Sequence, residues 1–154
     1  MLLKEVAKIF SEKNIPYAVV GGYAVNLYGF VRSTLDLDIL LPLQLEVFQE
    51  VERCMAALGL ICRVPIDAHK LFQSLDYYRH EKNMVVWSFY SEKKPWLIID
   101  FLLTDDLRDF EIETKILDGI SIAVITLEGL ITLKKKSARR QDLEDIRALE
   151  QNKK

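Results

Sequence analysis

The sequence predicts an α+β fold in which a mixed, largely antiparallel β-sheet of about five strands is flanked by helices. Apolar residues repeat with the spacing of an amphipathic helix near both ends of the chain. Alternation of apolar and polar residues from Leu35 to Ile39 is typical of a strand, which is predicted over 35–41. The short links at 91–95 and at Asp118-Gly119 are typical of hairpins. Antiparallel pairs are therefore expected, and a doubly wound parallel sheet is excluded.

Proline and glycine divide the first part of the chain into short elements. Pro16 ends the opening helix, Gly29 ends a second helix, and Gly59 ends a third that begins with Pro42 in its first turn. The predicted elements are, in order, a helix over 3–10, a strand over 17–20, a helix over 23–28, a strand over 35–41 and a helix over 42–58.

The second part of the chain is predicted to be richer in strands. Strands are expected over 60–64, 84–90, 96–103, 112–117 and 120–124. They are followed by a helix over 126–136, which Thr126 can cap, and by a helix over 138–149. Residues 65–83 are polar with scattered aromatic residues and no clear period, which predicts an irregular loop with one helical turn. We expect one domain over 1–154, with C-terminal helices over about 126–150 packed on its core.

Composition excludes several classes of protein. The 154 residues are half hydrophobic and 29% charged, and the net charge is −2, which gives no electrostatic case for wholesale nucleic-acid binding. The two cysteines, Cys54 and Cys62, do not make a disulfide scaffold. The N-terminus lacks a signal-peptide pattern, and the apolar stretches are too short to span a bilayer. We therefore expect a cytoplasmic protein without a membrane partner.

Two carboxylates on one predicted strand indicate a metal site. Alternate strand residues point to the same face, so Asp36 and Asp38 are expected side by side, roughly 6.5–7 Å apart along the strand. Two like charges on one face of an apolar strand repel each other unless a cation lies between them. Oxygen ligands of this kind suit Mg²⁺. The alternative is a solvated edge strand with both side chains in water.

A third carboxylate, Asp100, interrupts the apolar strand over 96–103. A lone carboxylate there is costly unless it is paired or bound to a metal. Together with Asp36 and Asp38 it would complete a two-metal clamp of the kind that supports displacement at phosphorus. The alternative is a salt bridge to a lysine.

Gly21 and Gly22 follow the first strand directly and precede a helix. Glycine lets the backbone turn sharply and lets a ligand approach it closely. The N–H groups at a helix N-terminus attract anions. A phosphate chain is therefore expected near these glycines, within reach of metals on Asp36 and Asp38.

The stretch from Gly21 to Ile39 resembles the signature of the nucleotidyltransferase superfamily, which includes DNA polymerase β and kanamycin nucleotidyltransferase. The form Gly-Gly-x-Ala…Tyr-Gly…Arg-x-Thr-x-Asp-x-Asp-Ile is closer still to small bacterial and archaeal members, among them abortive-infection, toxin-type enzymes. The segment from Leu133 to Asp145 is similar to their C-terminal Lys…Arg-x-Lys-Asp-x-x-Asp helix, with Gln141 in place of the usual lysine. The resemblance runs over about 15–149 but does not cover 60–94.

The resemblance implies a nucleotidyltransferase-type core and a role for each matching residue. Its implied metal ligands and catalytic residues are Asp36, Asp38 and Asp100, which would hold Mg²⁺, with Mn²⁺ as a substitute. Its implied nucleotide-binding residues are Gly21, Gly22, Arg32, Thr34 and Lys134. The implied reaction is attack by a hydroxyl on the α-phosphorus of an NTP, with transfer of NMP and release of pyrophosphate.

Several residues near these motifs carry two interpretations. Gln141 either weakens a contact with phosphate or acceptor, or lies on the outer face of the last helix. Arg139 and Asp142 either take part in the site or form an i, i+3 pair. The basic residues 134–136 and 139–140 either guide an anionic substrate or are a solvated helix end. His69 and His80 are expected at the surface, and residues 77–80 either stack on a base or pack as a loop.

The acceptor and the biological role stay open at this level. An RNA end such as that of tRNA, a protein side chain or a small molecule is compatible with the motifs, and a partner protein or a homodimer is expected to help hold it. One alternative is a catalytically silent binding module that acts through a partner, as in a toxin–antitoxin pair. A second, a sugar-nucleotide transferase, explains the Asp36–Asp38 pair but neither the glycines nor Asp100.

Overall fold

A computed structural model describes residues 2–152 as a single seven-stranded sheet with helices on both faces. The strands are β1 (Ala18–Val20), β2 (Asp36–Leu40), β3 (Leu60–Cys62), β4 (Val86–Ser91), β5 (Ile98–Leu102), β6 (Ile112–Leu117) and β7 (Ile120–Ile125). The helices are α1 (Leu2–Glu12), α2 (Gly21–Leu27), α3 (Leu45–Ala57), α4 (Ala68–Gln73), α5 (Leu75–His80), α6 (Leu127–Ser137) and α7 (Arg140–Asn152).

The strand order is β3-β4-β5-β2-β1-β7-β6. Strands β2 and β5 pair in parallel, as do β1 and β7, and the other pairs among the described strands are antiparallel. The predicted α+β class and the mixed, largely antiparallel sheet are confirmed. All seven predicted strands, including the three-residue strands β1 and β3, join one sheet, which is therefore larger than the expected five or so strands.

One face of the sheet carries the hydrophobic core. Trp87, Ile99 and Phe101 point to this face and are fully buried. The Phe101 ring lies 6.4 Å from that of Phe10 on α1, and the Trp87 ring stacks at 5.4 Å on that of Phe48 on α3. Helices α1 and α3 therefore cover this closed face. The polar residues that alternate with the core residues are left on the opposite, open face.

The prediction of an irregular loop over 65–83 is wrong, because this segment forms the two short helices α4 and α5. The Asp67 side chain caps α4 by accepting a hydrogen bond from the Lys70 N–H at 2.7 Å. Leu71 and Ala68 are buried, and the Phe72 ring packs edge-on against Phe48 at 4.8 Å. Each helix has six residues, too few to show a 3.6-residue period in the sequence.

The C-terminal helices form a hairpin that packs on the sheet. Thr126 caps α6 as predicted, since its Oγ1 accepts a hydrogen bond from the Gly129 N–H at 3.2 Å. Leu130 on α6 and Leu149 on α7 are fully buried. None of the helices in residues 2–152 is long and apolar enough to cross a membrane.

We expect the Phe101→Ala variant to lose about 3–5 kcal/mol of unfolding free energy, because it leaves a cavity between the sheet, α1 and α3. The control is Val31→Ala, at a fully exposed side chain, where the change should stay within about 0.5 kcal/mol. Urea unfolding followed by circular dichroism measures both. A loss below about 1 kcal/mol for Phe101→Ala would contradict this account of the core.

Candidate active site

Three carboxylates lie together on the open face of the sheet. Asp36 and Asp38 alternate along β2, as predicted, and β5 runs parallel beside it with Asp100 directly opposite Asp38. All three side chains are partly buried. The Ser88 hydroxyl of β4 donates a hydrogen bond to Asp100 Oδ1 at 2.5 Å. The sheet therefore brings Asp100 next to Asp36 and Asp38, as predicted.

The carboxylates disfavour each other's charge. Burial, followed by repulsion from Asp100 and Asp36, raises the pKa of Asp38 to about 7, against the attraction of Arg139 and Lys134. Burial also raises the pKa of Asp100; the Ser88 hydrogen bond lowers it, and the Asp36 carboxylate raises it further. A cluster with an excess of desolvated negative charge is chemically suited to a divalent cation.

The carboxylate oxygens of the three aspartates are the kind of ligand that magnesium prefers. Among residues 2–152, no three His, Cys, Asp or Glu side chains stand as a preassembled metal cluster. Mg²⁺ is usually held by one or two carboxylates together with water and substrate phosphates, and it does not require a cage made only of protein. Asp36, Asp38 and Asp100 offer hard oxygen ligands on one surface, so they are the residues that would hold it.

The backbone conformation and the close approach of Asp38 both require a glycine at position 21. Its φ of +66° lies in the left-handed region, and a Cβ atom there would be 2.2 Å from Asp38 Oδ2. The missing side chain thus lets the Asp38 carboxylate lie against the start of α2. A Cβ on Gly22 would lie 2.5 Å from Thr34 Oγ1 and 3.0 Å from Arg32 Nη2, so these three residues pack on one another.

A cavity of ≈ 570 Å³ opens over the carboxylates, which is within the size range of small-molecule sites. Of the predicted site residues, the three aspartates, Gly21 and Lys134 line it, whereas Gly22, Arg32 and Thr34 do not. The other lining residues are Val20, Val85, Val86, Leu102, Thr104, Asp105, Leu130, Leu133, Lys136, Ser137, Arg139 and Asp142. The cavity is therefore walled by the sheet on one side and by α6 and the start of α7 on the other.

Lys134 is buried in an ion network, with only 4% of its surface exposed. Its Nζ lies 2.8 Å from Asp145 Oδ2 and 3.4 Å from Asp142 Oδ1. Both carboxylates are buried on α7. The lysine therefore joins α6 to α7, and the predicted contact of its ammonium with phosphate stays a prediction.

The same network includes residues that had two interpretations, and two of them, Arg139 and Asp142, also line the cavity. Arg139 Nε donates a hydrogen bond to Asp142 Oδ2 at 3.0 Å, so these two residues do form an i, i+3 pair. Gln141 is exposed, and its side-chain amide donates a hydrogen bond to the buried Asp145 Oδ1 at 3.0 Å. Arg32, for which a phosphate or acceptor contact is predicted, lies with Nε 3.2 Å from the same Asp145 Oδ1.

The remaining candidates lie outside the cavity lining, apart from Lys136. His69 and His80 are exposed, as predicted. Tyr77 is 48% exposed on α5, where its ring packs edge-on against Tyr78. Within the basic cluster, Lys136 reaches into the cavity and pairs with Asp105 at 2.7 Å.

Ser88 and Asp105 are site residues that sequence reasoning did not identify. Ser88 is a small polar residue in an apolar strand, which is a weak signal on its own. Its contact with Asp100 depends on the register of β4 against β5, and a sequence does not give that register. Asp105 comes shortly after β5, lines the cavity and pairs with Lys136 of α6, a contact between segments far apart in the sequence.

Comparison with solved structures identifies proteins of the same architecture. The antibiotic-resistance factor ANT(2″)-Ia, also solved in complex with adenylyl-2″-tobramycin, superposes with a TM-score of 0.65 at 15% identity over 96% of this chain and 80% of that one. TM1012 of Thermotoga maritima superposes with a TM-score of 0.63 at 15% identity over 98% of this chain and 91% of that one. The lincosamide antibiotic adenylyltransferase LnuA, solved with lincomycin bound, superposes with a TM-score of 0.62 at 16% identity over 94% of this chain and 92% of that one.

No protein-family model matches the sequence, and neither does any curated protein. The likeness to the solved structures thus lies in the fold, at 14–16% identity. The chain has a nucleotidyltransferase fold, which confirms the fold that the sequence resemblance implies.

Asp142 makes the stability of the α6–α7 hairpin dependent on pH. Burial raises the pKa of Asp142, but hydrogen bonds from Arg139 and Ser137 outweigh it and lower the pKa to about 2. The folded state therefore binds this proton less readily than the unfolded state does. The stabilisation is complete above about pH 4 and is lost as the pH falls through about 2. Urea unfolding at a series of pH values should show the gap between wild type and Asp142→Asn closing over this window.

The exposed Asp76→Asn variant is the control for that measurement, and its gap from wild type should stay small at every pH. A gap for Asp142→Asn that stays constant from pH 6 to pH 2 would contradict the assigned ionisation.

The close approach at Gly21 is tested against Gly59, which has a φ of +75° and open space around its Cβ position. Gly59→Ala should cost about 1–2 kcal/mol of unfolding free energy from backbone strain alone. Gly21→Ala should cost that amount and about 1–3 kcal/mol more, because its methyl group displaces the Asp38 carboxylate. Urea unfolding measures both, and equal losses would show that Asp38 does not need the glycine.

Proposed function

We propose that this protein is a magnesium-dependent nucleotidyltransferase that moves NMP from an NTP to a hydroxyl acceptor. The observation that carries the proposal is the row of carboxylates on β2 and β5, with Asp38 directly opposite Asp100 and Asp36 on the same face. The nucleotidyltransferase fold and the adenylyltransferases among the similar structures support it. A cavity of suitable size lies over the row.

The three aspartates are proposed to hold Mg²⁺, for which Mn²⁺ is a substitute. When bound, the metal neutralises charge on the phosphates and makes the acceptor hydroxyl more acidic. The chain itself supplies position and surrounding charge. Gly21 lets the Asp38 carboxylate lie against the start of α2, at the cavity wall where the phosphate chain is proposed to bind. Arg139 stands on the opposite wall of the cavity with a positive charge.

The proposed reaction forms a bond from the acceptor oxygen to the α-phosphorus and breaks the bond from that phosphorus to its bridging oxygen. Pyrophosphate leaves with the bridging oxygen. The hydroxyl proton passes to the carboxylate of Asp100, whose Oδ1 is already fixed by the Ser88 hydroxyl. Ser88 is thus a positioning residue for the proposed base.

Gly22, Thr34 and Arg32 have a supporting place in this proposal. They pack on one another at the start of α2, outside the lining of the cavity. Arg32 also reaches Asp145 of α7. We propose that they hold the segment between α2 and β2 against the C-terminal helices. This would fix the position of Gly21 beside the Asp38 carboxylate.

Metal-dependent nucleotide binding is the first test. Calorimetry with each of the four NTPs, with and without Mg²⁺, should show binding that requires the metal. Asp38→Asn should weaken this binding by about 10- to 100-fold, because it removes one of the proposed metal ligands. The fold should stay intact, because the substitution relieves repulsion inside the cluster. The exposed Asp76→Asn variant is the control and should bind as wild type does.

Asp100→Asn separates an enzyme from a silent binding module. In an enzyme it should abolish transfer of label from an α-labelled NTP, whereas a module that acts through a partner would keep its partner binding.

For the binding measurement, nucleotide binding equally strong in wild type and Asp38→Asn would contradict the proposed metal site.

A further inference from the structure

The open face of the sheet extends beyond the cavity, toward the β3 edge. Across the strands, Ser88 lies opposite Asp100, and Asp100 lies opposite Asp38. The antiparallel pairing of β3 with β4 continues one residue past β3, where the Arg63 N–H donates to the Ser88 carbonyl at 2.9 Å. Arg63, Ser88, Asp100 and Asp38 therefore form one row across four neighbouring strands.

The alternation of β3 indicates on which side of the sheet Arg63 stands. Cys62, its neighbour, is in contact with the closed face, since its Sγ donates to the Ile66 carbonyl at 3.6 Å and the Trp87 indole donates to the same carbonyl at 3.4 Å. Adjacent residues point to opposite faces. Arg63 accordingly stands on the open side, and its charge lowers the pKa of Asp100.

Arg63 is exposed, and it forms no ion pair with any residue in 2–152. Two strand spacings of 4.7–4.9 Å separate it from Asp100, which is about 9–10 Å between the two backbones. A long guanidinium side chain spans part of that distance. It is thus a cation with free hydrogen-bond donors, on the side of the proposed base that lies away from Gly21.

The surface beside Arg63 is apolar. Tyr90 of β4 pairs with Ile61 on one side and with Ile98 on the other, in the row that also holds Asp36. Tyr90 and Ile98 are half-buried, and Ile61 is 39% exposed. This gives a shallow surface with one aromatic ring, an arginine at its edge and the carboxylates at its inner end.

We propose that the surface formed by Ile61, Arg63, Tyr90 and Ile98 binds the hydroxyl acceptor, and that Arg63 binds a phosphate group of that acceptor. This inference rests on the proposed function, which it deepens by assigning the acceptor class. A guanidinium binds phosphate through paired hydrogen bonds. A cationic acceptor would be repelled by Arg63, and a neutral one would leave the exposed guanidinium in water and gain nothing from its charge.

Two sources supply this chemistry, the end of a nucleic acid and a small phosphorylated hydroxyl compound. The probes are therefore a labelled hexauridylate and ribose 5-phosphate, with ribose and glucosamine as the neutral and cationic comparisons. Each is titrated into protein saturated with Mg²⁺ and a non-hydrolysable NTP analogue, so that the nucleotide site is filled. Binding of the analogue is measured separately.

Wild type should bind ribose 5-phosphate or hexauridylate more tightly than ribose or glucosamine. Binding of hexauridylate alone identifies a nucleic-acid end, and binding of both shows that the phosphate group suffices. Arg63→Ala should weaken this binding by about 10- to 100-fold, and Arg63→Lys should restore part of it. The control Arg53→Ala, on α3 across the sheet, should change nothing.

Failure of the two proposals is distinguishable. If the analogue binds but neither phosphate probe does, or if Arg63→Ala binds the probes as wild type does, the acceptor assignment is overturned and the proposed function stands. Glucosamine or ribose binding as tightly as ribose 5-phosphate also overturns it. If no NTP analogue binds to wild type, the proposed function fails and the acceptor assignment fails with it.

Discussion

The proximity of three carboxylates on two neighbouring strands is the constraint on which the rest of the structure depends. The parallel register of β2 and β5 places Asp38 opposite Asp100, where both are partly buried and repel each other. Ser88 supplies a hydrogen bond to one oxygen, and Gly21 supplies room, but neither supplies a positive charge. The sheet holds this arrangement because its closed face is a densely packed core, and a slip of one residue would turn that core toward water.

The cations that face this centre are themselves engaged. Lys134 lies between Asp142 and Asp145, and Arg139 pairs with Asp142, so the wall made by α6 and α7 is an ion network before it is a ligand site. Breaking a buried pair leaves an uncompensated charge, which is far more costly than losing a surface salt bridge. The network therefore fixes where this wall stands. Arg32 extends the network to the segment before β2 through its pair with Asp145.

Local periodicity was enough to predict what lies within one strand or helix. The alternation around Asp36 and Asp38 and the Thr126 cap are short-range features, and the structure has them as predicted. The helix expected after Gly21 and Gly22 is also present, but it begins at Gly21 itself. Contacts between distant segments were beyond the sequence. The Arg32–Asp145 pair and the Ser88–Asp100 bond depend on strand order and register, which a single sequence does not encode locally. Helices α4 and α5 were missed because six residues are too few for a period.

The distribution of charge on the open face leads to the last step. An NTP is an anion, and three carboxylates alone would repel it, so the proposed centre accepts it only when a cation has neutralised the aspartates. Once that is so, the flanking cations determine where further anions bind. Arg139 stands on the α7 side, its charge shared with Asp142, whereas Arg63 on the β3 side pairs with no carboxylate in the described part of the chain. The unshared charge therefore lies on the side of the carboxylates that is proposed for the acceptor.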